Sequence, residues 1–147
     1  QFPEKRVNDR EWMTYIIQLR SMLARCSFCG EETFMEPVVQ NQTCIDCERA
    51  ISKPMVLKIG TYRIPLFEGQ KIYNVHLPID GDINAVVGEV VSNTVSGKLG
   101  IKNYSSFTWQ VVDPIGTVHN VQPESGMPIK NEMGIKFKMG IKGLIVK

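Results

Sequence analysis

The chain has 147 residues, 43% of them hydrophobic, which is enough for a packed core and excludes a globally disordered protein. Its 17 basic and 15 acidic side chains leave a formal net charge of +2, and this near balance argues against a protein built mainly to neutralise phosphate backbones. No run of about 18 apolar residues occurs, so the sequence predicts no membrane-spanning segment, and no signal peptide is visible at its start.

Residues 1–25 are the first of three predicted segments, and residues 8–25 within it are predicted to form an amphipathic helix. Asn8 suits the N-cap, and Glu11, three residues later, completes a capping-box pattern. Apolar residues then recur at helical spacing and predict one apolar stripe. The stripe consists of Trp12, Ile16, Leu19 and Leu23.

Residues 26–53 are the second segment and contain every cysteine of the chain. These are Cys26, Cys29, Cys44 and Cys47, spaced as C-x2-C, 14 residues and C-x2-C. Two intervening residues let a tight turn point both sulfurs at one ion, and two such knuckles complete a tetrahedral site. The spacing therefore predicts one structural Zn²⁺ with a closed shell; two disulfides in an oxidising compartment are the alternative, and redox chemistry is a third.

Residues 54–147 are the third segment and are predicted to be all-β. Short runs rich in valine, isoleucine, tyrosine and phenylalanine alternate with turn signals, and about ten strands indicate a sandwich or barrel. The predicted strands are Met55–Ile59, Tyr62–Leu66, Gln70–Leu77, Val86–Val91, Leu99–Asn103, Trp109–Val112, Thr117–Val121, Met127–Ile129, Ile135–Met139 and Gly143–Val146.

Two local patterns resemble a known family. Residues 4–12, followed by the helix and Cys26, look like the R-P-x-x-x-E-W stretch that opens the last helix of a kinase C-lobe, with Val7 in place of the proline. Gly100-Ile101-Lys102-Asn103, Trp109, Val121-Gln122-Pro123, Met127-Pro128-Ile129 and Gly134-Ile135-Lys136-Phe137 look like the late strands of a forkhead-associated domain. Together with the cysteines, they resemble the C-terminal region of bacterial eukaryotic-like serine/threonine kinases.

The resemblance implies an eleven-stranded sandwich whose loops bind phosphothreonine peptides. Gly69-Gln70 stands where that family has Gly-Arg, so the phosphate-facing arginine is missing. The family's Ser-x-x-His is absent, and Ile115-Gly116-Thr117 lacks the asparagine of Asn-Gly-Thr. We therefore carry over the forkhead-associated-like (FHA-like) fold and no phosphate-binding residue.

The remaining candidate residues have plainer interpretations. His76 is predicted to lie on a strand surface, His119 to be exposed and Trp109 to lie in the core. A sparse basic cluster near the C-terminus is interpreted as an exposed face that discourages edge pairing, and alternatively as a weak site for an anion or acidic partner. The cluster comprises Lys136, Lys138, Lys142 and Lys147.

The sequence thus predicts a mainly β protein with an N-terminal helix, a four-cysteine zinc-ribbon-like module and an FHA-like antiparallel β-sandwich. No kinase signature or other catalytic motif occurs, so we expect a cytoplasmic, non-catalytic regulatory region of a bacterial signalling kinase whose catalytic part lies upstream of Gln1. The resemblance implies protein partners: the kinase domain itself, a metal-dependent phosphatase or a von Willebrand A-type protein. A nucleic-acid-associated zinc-ribbon protein and a true phosphothreonine reader are the alternatives.

Overall fold

The computed structural model describes residues 6–35, 41–77 and 79–147. Residues 1–5 of the predicted first segment and 36–40 of the second lie outside this part. One helix, α1 (Asp9–Ser21), leads into a hairpin of β1 (Leu23–Arg25) and β2 (Glu32–Phe34). The following strands are β3 (Met55–Ile59), β4 (Tyr62–Leu66), β5 (Lys71–Tyr73), β6 (Val86–Ser92), β7 (Leu99–Asn103), β8 (Trp109–Val112), β9 (Val118–Val121), β10 (Gly126–Pro128), β11 (Gly134–Lys136) and β12 (Lys142–Val146). The predicted fold class is confirmed.

The helix begins as predicted and ends early. The Asn8 side chain accepts a hydrogen bond from the Glu11 N–H (2.9 Å), and the Glu11 carboxylate accepts one from the Asn8 N–H (2.8 Å). The predicted end at residue 25 is wrong, because Leu23 pairs with Phe34 across the hairpin and the Met35 N–H donates to the Met22 carbonyl (2.8 Å). This pairing overrides helix propensity over the last four predicted residues.

The ten later strands form two antiparallel sheets. One has the order β4-β3-β12-β11-β8-β9, and the other has the order β10-β7-β6-β5. All ten predicted strands are present, although several differ at their ends. Among the described residues, the sandwich has one strand fewer than the eleven that the family resemblance implies.

The inner faces of the two sheets share one hydrophobic core. Leu57 and Ile145 from the six-stranded sheet belong to the same buried cluster as Ile72 and Ile101 from the four-stranded sheet. Trp109 is buried among them and stacks edge-on against Phe137, so its predicted core position is confirmed. The alternation of inward apolar and outward polar residues along the strands explains this arrangement.

Gly88 on β6 lies directly against the indole ring of Trp109. A Cβ atom at this position would lie 2.8 Å from Cη2 of Trp109. Only glycine therefore fits beneath the indole ring without a shift of the core.

His76 corrects one prediction. The predicted strand 70–77 stops at Tyr73, and Asn74–His76 form a 3-10 turn. The Tyr73 N–H donates to Nδ1 of His76 (3.0 Å), which draws the imidazole inward until only 1% of the residue is exposed. The surface-strand prediction is wrong because this local hydrogen bond redirects the backbone out of the strand.

The basic cluster near the C-terminus does not lie at a sheet edge, as the edge-protection interpretation requires. Lys136 and Lys142 are direct partners on β11 and β12, and both strands are interior to the six-stranded sheet. They cannot protect a sheet edge, so that interpretation is wrong. Lys138 lies beyond the end of β11, with its ammonium 5.6 Å from the ring of Phe107.

None of the helices in the described ranges has the length and apolar character that crossing a bilayer requires.

Candidate metal centre

The first cysteine knuckle is the turn of the β1–β2 hairpin. The Gly30 N–H donates to the Cys26 carbonyl (3.0 Å), and the Cys26 N–H donates to the Glu31 carbonyl (2.8 Å). Gly30 has a φ of 80°, a conformation that glycine adopts without steric cost. The positive φ of the turn therefore explains why a glycine follows the second cysteine.

The second knuckle repeats this geometry with a different residue at the turn. The Glu48 N–H donates to the Cys44 carbonyl (3.1 Å), and the Cys44 N–H donates to the Arg49 carbonyl (2.8 Å). Glu48 occupies the place equivalent to Gly30 and also has a positive φ, 57°. A non-glycine residue held in this region indicates that the surroundings fix the turn.

The two knuckles bring all four predicted cysteines together. Their sulfur atoms lie within 4.8 Å of one another. The Cys26–Cys47 separation is 3.7 Å and the Cys29–Cys44 separation is 3.5 Å, so the four cysteines form no disulfide. A tetrahedral site with metal–sulfur bonds of ~2.3 Å has sulfur–sulfur edges of about 3.8 Å, and the cluster therefore has the dimensions of a four-sulfur metal site.

The protonation of the cluster follows its hydrogen bonds. Backbone N–H groups of Cys47 and Asp46 point at the Cys44 sulfur and lower the pKa of that thiol to about 6. The N–H groups of Cys29 and Phe28 likewise lower the pKa of Cys26.

The second cysteine of each knuckle behaves in the opposite way. The N–H of Glu31 lowers the pKa of Cys29, but desolvation and the neighbouring thiols outweigh it and raise that pKa to about 12. The pKa of Cys47 is also raised, because desolvation and Cys26 outweigh the N–H of Arg49. Crowded thiolates repel one another, and a bound cation would let all four ionise.

Among the residues that the structure describes, few other contacts hold the two knuckles together. The Ile45 N–H donates to Oγ1 of Thr33 (3.1 Å), and the Arg49 guanidinium lies 4.5 Å from the centre of the Phe28 ring. Ile45 and Phe28 are themselves exposed. This segment has no large apolar core among its described residues, so a metal ion would supply much of its folding free energy.

Gln70 connects the helix to the sandwich. Its side chain is buried, and its Nε2 donates to the Ser21 carbonyl at the end of α1 (2.6 Å). Gln70, the position at which the sequence resemblance would place a phosphate-facing arginine, thus makes a structural contact. Sequence reasoning identified the position but not the contact, since 49 residues separate the partners.

The apolar stripe of α1 points into solvent. Trp12, Ile16 and Leu19 are between 52% and 56% exposed. Tyr15, beside them on the same face, is 51% exposed. The buried residues of α1, Ile17 and Ser21, lie on the opposite side of the helix. The sequence predicted the stripe, but a stripe of this kind ordinarily faces the protein's own core.

His119 is exposed, as predicted, and it has a carboxylate partner that the sequence did not reveal. Its Nε2 lies 3.2 Å from Oδ2 of Asp113. Burial raises the pKa of Asp113, but His119 and the N–H groups of Thr117 and Ile115 outweigh it, and the net pKa is lowered. Because Asp113 also accepts these two backbone hydrogen bonds, its evident role is to hold the β8–β9 turn.

Comparison with family models, with curated proteins and with solved structures found no match for this chain.

Proposed function

We propose that Cys26, Cys29, Cys44 and Cys47 hold one structural Zn²⁺. Tetrahedral four-sulfur sites bind zinc or iron, and zinc suits a purely structural role because it has no redox chemistry. Four protein ligands close the shell, so no position remains for a reacting water. The ion would fix the hairpin and the second knuckle as a rigid joint between α1 and the sandwich.

We further propose that the chain is a non-catalytic, cytoplasmic protein-interaction region that docks through α1. The main support for this proposal is the solvent-exposed stripe of Trp12, Tyr15, Ile16 and Leu19. A helix with one face on its own fold and an apolar face in solvent is typical of an element that a second protein covers. Trp and Tyr at the centre of such a stripe are the residue types that dominate interface energetics.

The partner we propose is the catalytic domain of a bacterial signalling kinase. The support is the resemblance of residues 4–12 to the start of the last C-lobe helix, since such a helix would pack its apolar face on the lobe. A metal-dependent phosphatase and a von Willebrand A-type protein are further partners that the same resemblance suggests.

The structure supports the two alternatives less well. A phosphothreonine reader needs a cation facing the phosphate, whereas Gln70 is buried against Ser21. A nucleic-acid-binding ribbon needs a basic surface, whereas the described part of the cysteine segment carries Glu31, Glu32, Asp46 and Glu48. No specific feature of the described residues favours either alternative.

The test uses this chain and the kinase catalytic domain encoded upstream in its reading frame, produced as separate polypeptides. Isothermal titration calorimetry should detect association, and Trp12→Ala should weaken it at least tenfold because it removes a central aromatic contact. Arg10→Ala is the matched control, since it truncates an exposed residue on another side of the same helix. Binding should be unchanged in this control.

Three results would overturn the proposal. A reading frame without a kinase domain removes the kinase assignment. Binding that ignores Trp12→Ala removes the role of α1. Tight, steeply salt-dependent binding of mixed DNA or RNA, or capture of phosphothreonine peptides over their unphosphorylated forms, would establish one of the alternatives.

A further inference from the structure

A cleft separates α1 and the cysteine segment from the outer face of the six-stranded sheet. Its volume is about 480 Å³, within the range of sites that hold ligands. Gln18 and Met22 from the helix end and Met35 after β2 form one wall. Val56 on β3, Pro65 on β4 and Val146 at the end of β12 form the floor. The cleft is therefore a junction of all three parts of the fold.

The charged residues that line this cleft all have the same sign among the residues that the structure describes. They are Lys53, Lys58, Arg63 and Lys147, and no acidic side chain of the described ranges lines it. The ion pairs within the described ranges are Lys102–Glu124 and Asp113–His119, and neither involves these four. Arg63 Nη1 donates to the carbonyls of Gly60 (3.0 Å) and Tyr62 (2.9 Å), which fixes part of the guanidinium beside the cleft.

The positive charge continues along the sheet. Arg63 and Lys58 are direct cross-strand partners, and Lys58 is also opposite Leu144 on β12. Two residues along β12 from Leu144, Lys142 lies directly opposite Lys136. The Lys58–Arg63 pair joins β3 to the edge strand β4, and the Lys136–Lys142 pair joins the interior strands β11 and β12. Like charges placed opposite one another in a sheet are destabilising, so these two cationic pairs point to an anionic partner.

The lining also restricts the chemistry of that partner. Its apolar residues are aliphatic or methionine, and methionine adapts to varied apolar side chains. No aromatic side chain from the described part of the chain lines the cleft, so bases of a nucleic acid would find no stacking surface among these residues. A concave cleft also suits an inserted side chain better than a flat membrane surface, which amphipathic elements meet with a protruding apolar face.

We propose that this basic cleft binds an acidic peptide segment of a partner protein, with an aliphatic side chain inserted on the floor of Val56, Pro65 and Val146. Carboxylates flanking the inserted side chain would pair with Lys58 and Arg63, and an extended peptide would bring a further carboxylate to Lys136 and Lys142. The inference rests on the proposed function only in that the chain binds proteins. It uses a surface separate from the stripe of α1.

The test is an array of octapeptides in which leucine, valine or phenylalanine alternate with glutamate or aspartate. A matched array carries glutamine and asparagine instead. The full 147-residue chain should bind the best acidic peptides at least tenfold more tightly than their amide counterparts, as measured by fluorescence anisotropy. Added salt should weaken this binding.

Substitutions inside and outside the cleft test whether the acidic peptides bind in the cleft. The double variant Lys58→Ser/Arg63→Ser should weaken peptide binding at least tenfold. Lys71→Ser/Lys98→Ser, which removes the same charge from exposed residues outside the cleft lining, should leave it unchanged. Trp12→Ala should also leave it unchanged, so failure of the α1 proposal and failure of this one are distinguishable.

Three outcomes would overturn the inference. In the first, no acidic peptide binds more tightly than its amide counterpart. In the second, both double variants bind as the unmodified chain does. In the third, phosphatidylserine vesicles or poly-uridylate bind more tightly than every peptide and lose this binding in Lys58→Ser/Arg63→Ser.

Discussion

The cysteine segment and the β-sandwich solve the same folding problem in different ways. Seventeen buried apolar residues of the described ranges, from both sheets and from the segments that connect their strands, form one cluster in the sandwich, which can exclude water without any ligand. In the cysteine segment, Phe28, Phe34 and Ile45 are exposed, and the closest feature to a core is the group of four sulfur atoms. Stability of the cysteine segment should therefore depend on solution conditions such as metal and chelator, while stability of the sandwich depends on packing.

The largest effect we predict comes from Cys44→Ser, because it removes one of four ligands from a region that has little else to hold it. Hydrogen exchange should show loss of protection in the described part of residues 22–53, while β3–β12 stay protected. A structural zinc site contributes on the order of 10 kcal/mol, more than so short a segment can replace. Ser27→Ala, in the exposed turn of the first knuckle, is the control. If the sandwich unfolds together with the cysteine segment, the separation of the two regions is wrong.

Trp109→Ala should be the most damaging truncation within the sandwich. It leaves a cavity beside Phe137 and Gly88 and removes the hydrogen bond from Nε1 to Oγ of Ser105 (3.1 Å). We expect a loss of about 3–5 kcal/mol in the free energy of unfolding, measured by urea denaturation. Ile115→Ala, at an exposed turn, should change it by less than about 0.5 kcal/mol. Equal losses in both variants would contradict a sandwich held by its core.

Acid should weaken the sandwich through His76. Burial lowers the pKa of His76 from 6.5 to about 4, and its Nε2 has no hydrogen-bond partner among the described residues. The unfolded chain therefore takes up this proton at a higher pH than the folded chain. The stabilisation is complete above about pH 6.5 and is lost as the pH falls towards 4, a change of roughly 3 kcal/mol.

A His76→Gln variant isolates this contribution from that of the carboxylates. The difference in unfolding free energy between the unmodified chain and the variant should shrink as the pH falls from 7 to 4.5, because only the unmodified chain has the imidazole. Urea denaturation at several pH values measures it. A difference that stays constant across this range would show that His76 does not titrate in the way its burial requires.

The smallest effect concerns α1, the helix that precedes the cysteine segment and contacts the sandwich through Gln70. Asn8→Ala removes one half of the capping box and should cost about 1 kcal/mol, seen as faster hydrogen exchange in the first turn of α1. Asn120→Ala, an exposed asparagine on β9, should leave that exchange unchanged. No change in the Asn8 variant would mean that the contact of α1 with the sandwich, rather than its cap, holds the first turn.

The sequence predicted local features well where one short pattern determines them. The capping box, the two knuckles and the strands 55–59, 62–66, 99–103 and 109–112 follow from turn residues and apolar alternation. The strand β1 could not be foreseen, because residues 22–25 continue a helical stripe and their pairing partner lies beyond the first knuckle. The buried position of His76 was missed for a similar reason, since the pattern of residues 71–77 alternates as a strand does.

Contacts between residues far apart in the chain could largely not be predicted from the sequence. Gln70 contacts Ser21 at the end of α1, 49 residues away in the sequence, and neither the helix pattern nor the strand pattern around Gln70 predicts this contact. The basic cleft likewise combines Lys58 on β3 with Lys147 after β12, and only the sheet order makes these two strands neighbours. By contrast, the sequence alone predicted that the four cysteines lie together. Each C-x2-C knuckle holds its two sulfurs close to each other, and binding one ion brings the two knuckles together.

Native mass spectrometry, before and after chelation, reveals whether the four cysteines hold a zinc ion. The chain purified without chelator should carry one zinc-sized mass increment, and chelation should remove it together with the protection of the cysteine segment. Cys44→Ser should lack a stable increment. An unmodified chain without any metal increment, or one that carries iron, would contradict the proposal that a structural zinc ion joins α1 to the sandwich.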